Sequence, residues 1–156
     1  MLDSNRPIGA PSMKALFEFL LEYFDFLYLD PRYRVADSDV AKQAPSASLT
    51  IVGPASTFQL INERDQIEIV VAPTKLMDPE NWFWPSLIKQ YIDNDPVIRY
   101  LPASDEAIWM RENLDAVERL FSDDSTLKAT CDGLCALCRA NAERYWSSWR
   151  EQQGLT

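Results

Sequence analysis

From Ser48 to Pro73 apolar and polar residues alternate with a period of two, whereas the segments on either side repeat at threes and fours. This change of period restricts the architecture more than any other feature. Side chains alternate across a strand, but they return to one face of a helix every three to four residues. Leu49 and Ile51 alternate with Ser48 and Thr50, and Phe58 and Leu60 with Thr57, Gln59 and Ile61. Ile67, Ile69 and Val71 alternate with Gln66, Glu68 and Val70. Gly53-Pro54 and the polar run Asn62–Asp65 read as turns, and Pro73 closes the stretch. Tyr33–Asp37 reads as a further short strand, followed by a loop at Ala41–Pro45. Strands that follow one another without intervening helices point to an antiparallel meander, dry on one face and wetter on the other.

Ser12 is a suitable cap for a first helix over residues 13–29, which Asp30-Pro31 ends. Its polar positions Lys14, Glu18, Glu22 and Asp25 fall in one narrow arc, so the rest of its surface is expected to be covered. Asp78–Asn81 opens a second helical stretch from Trp82 to Tyr91 or Ile92, broken at Asp93–Pro96. Ser104 opens a third, with a seam of Met110, Leu114, Val117 and Phe121. A fourth follows Ser122–Ser125, with a seam of Leu127, Cys131, Leu134, Cys138, Ala142, Tyr145 and Trp149. The expected fold is therefore α+β: an N-terminal helix, a three- to four-stranded antiparallel meander, then three helices packed on one face of the sheet. A length of 156 residues suits one domain, over 12–150, with flexible ends at 1–11 and 151–156.

Fifteen basic residues against twenty-four acidic ones give a net charge of -9. That balance argues against nucleic-acid binding, which needs clustered cations, and suits docking onto a basic surface. The chain contains no histidine. The commonest general base and the commonest metal ligand are thus both missing, and with them any Ser-His or Cys-His arrangement. The polar N-terminus does not read as a targeting segment. Glu18, Glu22 and Asp25 interrupt the apolar run from Ala15 to Leu29, so no membrane span is expected. Three cysteines crowded into one stretch do not suggest a disulfide framework, and a cytoplasmic location is expected.

Cys131, Cys135 and Cys138 form C-x3-C-x2-C, a spacing that resembles the cluster-binding loop of radical SAM enzymes. In that family the motif lies on a loop of a large barrel. Here it lies on one face of a helix, where thiols behave as small hydrophobes. A zinc site from the three thiols and Asp132 is the metal alternative, opposed by the inability of a regular helix to wrap a tetrahedral ion. Close acid pairs occur at Asp37/Asp39, Asp93/Asp95, Asp105/Glu106 and Asp123/Asp124, most of them at positions that suit caps and turns. No cofactor is expected.

Trp82-Phe83-Trp84 is harder to absorb into a core. Three consecutive aromatics on a helix span about 200°, so at least one ring should reach an edge. Exposed tryptophan is a frequent interface anchor. The expected partner-binding surface is Trp82 and Trp84 surrounded by Asp93, Asp95, Glu63 and Asp65. Tyr23–Leu27, Asp30–Arg34, Asn62–Ile67 and Trp82–Trp84 together resemble small bacterial immunity-type proteins of toxin systems. The resemblance implies a non-catalytic protein that neutralises a toxin, with a basic toxin domain as its partner. Two other readings stand beside it. One is a small carboxylate- or metal-dependent enzyme. The other is a self-association module, with the first helix as half of a homodimer interface.

Overall fold

The computed structural model describes residues 10–40 and 46–155. The expected loop at Ala41–Pro45 and residues 1–9 of the expected flexible N-terminus lie outside that range. Helix α1 spans Ala10–Tyr23 and α2 spans Asp25–Tyr28. Strands β1 (Arg34–Val40), β2 (Ser46–Val52), β3 (Ser56–Glu63) and β4 (Gln66–Pro73) follow. A short 3-10 turn, Pro79–Asn81, leads to α3 (Pro85–Asp93), α4 (Ala103–Ser122) and α5 (Leu127–Gln152). The fold is the α+β arrangement that the change of period implied. The strands form one antiparallel sheet in the order β1-β2-β3-β4.

Cross-strand rows explain why this register wins. Leu49 pairs with Leu60 and Leu60 with Ile69, while Ile51 pairs with Phe58 and Phe58 with Val71. All six are buried. A slip of one residue would turn the whole apolar set to the other face. The β3–β4 loop is shorter than expected. Only Arg64 and Asp65 form it, both at positive φ (51° and 64°), the two-residue geometry whose twist matches the flanking strands. Asp37 and Asp39 lie on β1, an edge strand exposed along nearly all its length, where charge deters pairing with another sheet.

Helices α1 and α4 pack on the sheet, α3 lies against β4 and α4, and α5 packs on α3 and α4. The expected single helix over 13–29 is two. Phe24 leaves the helical region (φ −118°, ψ 23°). That break buries its ring completely, 6.1 Å from Phe58 and 5.4 Å from Phe26. Ser12 sits inside α1 and is not its cap; its carbonyl accepts a hydrogen bond from Asn62 Nδ2 at 3.1 Å. The expectation that α1 is covered on most sides also fails, since Phe17 and Leu21 are exposed. One tight approach fixes the far end of the sheet: a Cβ at Gly53 would stand 2.1 Å from the Tyr33 ring, so only glycine fits. Tyr33 in turn donates its hydroxyl to Glu118 on α4.

Candidate functional site

The Trp82–Trp84 segment is not helical, which corrects the expectation made from the sequence. Trp82 and Trp84 are extended, and Phe83 exchanges two backbone hydrogen bonds of 2.8 Å with Val71. The segment thus adds one bridge to the free edge of β4. Alternation then sorts the three rings: Phe83 is buried, Trp82 half-buried and Trp84 40 % exposed. Pro85 was the available signal, because the residue before proline avoids the α region.

Trp84 stands between two depressions. One is a cavity of about 190 Å³ with apolar walls from Trp82, Phe83, Leu87 and Cys135, and with Arg139 at its side. The other is a wider groove of about 490 Å³ between the start of β4 and the stretch joining α3 to α4. Trp84 and Tyr100 meet there edge to face at 6.1 Å, with Tyr100 62 % exposed. The Trp84 indole N–H donates to Glu68 Oε1, which holds the ring in place.

Glu106 also lines this groove and is nearly buried. Its Oε2 accepts from the Ser86 backbone N–H at 2.9 Å and from the Ser86 hydroxyl at 2.8 Å. Ser86 Oγ accepts in turn from the Leu101 N–H at 3.0 Å. The carboxylate therefore caps the first turn of α3 from a neighbouring helix, where the helix dipole favours negative charge. Burial nevertheless raises the Glu106 carboxyl above its ordinary range, and the nearby charge of Glu68 adds to the rise. Both Ser86 bonds fall on Oε2, which leaves Oε1 for another donor.

Only part of the expected surface comes together here. Trp82 and Trp84 share the walls of the apolar cavity. Glu63 and Asp65 sit at the β3–β4 turn, beside the end of β4 that borders the groove. Asp93 and Asp95 do not join them. Asp93 ends α3, roughly 13 Å along its axis from Trp84, and Asp95 follows it. Asp93 pairs with Lys89 at 2.7 Å, and Asp95 accepts from the Val97 N–H at 3.0 Å. Glu68, Tyr100 and Glu106 were missed. Glu68 reads as the wet side of a strand and Glu106 as a first-turn acid, and only the long-range Phe83–Val71 pairing shows that they converge.

The cysteines occupy one side of α5 but not one environment. Cys131 is buried, Cys135 is half-buried and donates to the Glu80 carbonyl at 3.5 Å, and Cys138 is exposed. The expectation of three core thiols holds for Cys131 alone. Among the described residues no three His, Cys, Asp or Glu side chains are grouped to hold a metal ion. The thiol metal site therefore has no geometry behind it. No helix among the described residues is long and apolar enough to cross a membrane. Comparison with family models, curated proteins and solved structures gives no match to this chain.

Proposed function

We propose that this protein binds a partner protein, with the Trp84–Tyr100 groove receiving a lysine or arginine side chain of that partner. One observation carries the reading: two carboxylates, Glu68 and Glu106, share a groove walled by two exposed aromatic rings. Their mutual repulsion contributes to the raised proton affinity of Glu106, and a cation between them offsets it. Aromatic faces attract the same cation, by about 0.5–2 kcal/mol depending on desolvation. The acidic turn residues Glu63 and Asp65 extend the negative rim, and the net charge of -9 steers a basic partner toward it. Such a surface suits occlusion of a basic toxin domain by an immunity-type protein. Capture of partners from the source cells tests this. Trp84→Ala and Glu68→Gln should each lose a basic partner, and Glu68→Gln should do so while keeping the wild-type unfolding temperature. If both substitutions only lower that temperature, the residues are structural and the assignment fails.

One feature favours a second reading. A carboxyl with raised proton affinity facing another carboxylate is also the minimum for general acid–base chemistry. A stoichiometric metal ion in the purified protein, lost on Glu106→Gln, would move the assignment to a carboxylate-dependent enzyme.

A further inference from the structure

Helix α5 carries a heptad seam that outruns the body of the protein. Cys131, Cys135, Cys138, Ala142, Tyr145 and Trp149 follow at spacings of four, three, four, three and four. That is the strict 3.5-residue period of helices that pair with helices. The first half of the seam is covered or lines the apolar cavity. From Ala142 to Gln152 every residue is exposed, with Tyr145 at 64 %, Trp146 at 53 % and Trp149 at 41 %. The three rings stack edge to face in series, at 5.3 and 5.9 Å, which fixes them as one ridge.

We infer that a second copy of this chain covers the ridge, through antiparallel two-fold pairing of α5 with its counterpart centred near Ala142. Three features select this occupant. The first is order along the helix. Centring on Ala142 sets Trp149 of one copy opposite Cys135 of the other, and Trp146 opposite Cys138. The ridge then lies over the counterpart's cavity of about 190 Å³ beside Trp82, and each copy offers both knob and hole, as a closed two-fold contact requires.

The second is charge. A chain of net charge -9 repels its own copy, yet in the facing stretch, residues 132–152, Arg139, Arg144 and Arg150 balance Asp132, Glu143 and Glu151, which leaves it at 3 − 3 = 0. The same pairing sets Arg139 opposite Tyr145 of the counterpart, a cation–π geometry. The third is area. At their observed exposures the three rings offer roughly 350 Å². Covered in full against a matching surface of the counterpart, the rings bury at most about 1,400 Å² in total over two copies, an upper bound inside the range of stable interfaces.

Sedimentation of the wild-type protein over roughly two decades of concentration, reaching about 100 µM, reads the state directly. The expected mass is that of two chains, and Trp149→Ala should raise the dissociation constant at least tenfold. In a Cys138→Ser background, Ala142→Cys should give a disulfide-linked dimer on mild oxidation, and Ser147→Cys, on the opposite side of α5, should not. A single-chain mass throughout overturns the inference, including the case where the ridge captures a different protein. So does a dimer indifferent to Trp149→Ala, which would point to the exposed Phe17 and Leu21 of α1, and so does cross-linking through Ser147→Cys.

Discussion

The side-chain amides of Gln90 and Asn141 exchange a reciprocal pair of hydrogen bonds, 3.2 and 2.7 Å long, across 51 residues of sequence. Both residues are buried, and Gln90 Nε2 also donates to the Asp95 carbonyl at 3.1 Å. Asn141 is the last buried residue of α5, so this pair fastens the helix to α3 at the point where its aromatic half leaves the body.

Breaking the pair from one side strands the other amide. Asn141→Ala should cost about 1–3 kcal/mol of stability, the penalty for an unpartnered buried polar group. Urea denaturation measures it, and Ser147→Ala, nearly two turns beyond on an exposed face, should stay within about 0.5 kcal/mol of wild type. Equal effects of the two substitutions would remove Gln90–Asn141 as the anchor.

Glu106 gives the stability a defined pH dependence. Burial raises its carboxyl above the ordinary 4.5, outweighing the opposing Ser86 hydrogen bonds. The folded protein therefore keeps a proton that the unfolded chain has released. Stability attributable to Glu106 is full below about 4.5 and declines as pH rises through the folded value. Asp30, paired with Arg32, and Asp123, paired with Ser125, act in the opposite sense. Both are lowered from 3.8, so what they contribute is lost as pH falls below that value. Glu106→Gln retains an acceptor for Ser86 without the charge. Thermal unfolding followed from pH 4 upward should show a decline in wild type that is flattened in the variant. Parallel curves for the two proteins would contradict a buried carboxylate in this role.

The thiols should react in an order set by burial. Cys131 is buried and its pKa is pushed up to about 11, and burial also raises Cys135. Alkylation in dilute protein, followed by peptide mass spectrometry, should modify Cys138 first, Cys135 more slowly and Cys131 only on unfolding. Early labelling of Cys131 would show that the start of α5 is not packed as described.

What the sequence disclosed follows from the range of the forces involved. Period and turn chemistry act over a few residues, so the meander, the order of elements and the start of β4 at Gln66 could be read with little error. The break at Phe24 could not, because its cause is a ring packed against Phe58, far along the chain. The seam of α5 was legible as a period, but not where it would leave the body, since that depends on where α3 and α4 end. The groove was half legible. Trp84 stood out by composition, whereas Glu68 and Glu106 reach it only through the bridge of Phe83 to Val71 and the capping of α3. Asp93 and Asp95 looked close to Trp84 in sequence and are separated by the length of a helix.

The most direct test of the binding groove is a titration with N-acetyl-arginine amide, followed by NMR at the tryptophan indole N–H signals. Trp84→Phe identifies the Trp84 signal among the five tryptophans. A guanidinium that settles between Glu68 and Glu106 should shift that signal in a saturable way. The shift should weaken with added salt and shrink in Glu68→Gln. A Trp84 signal that stays still, or that moves no more than those of Trp146 and Trp149, would contradict the groove as a site for a cationic side chain.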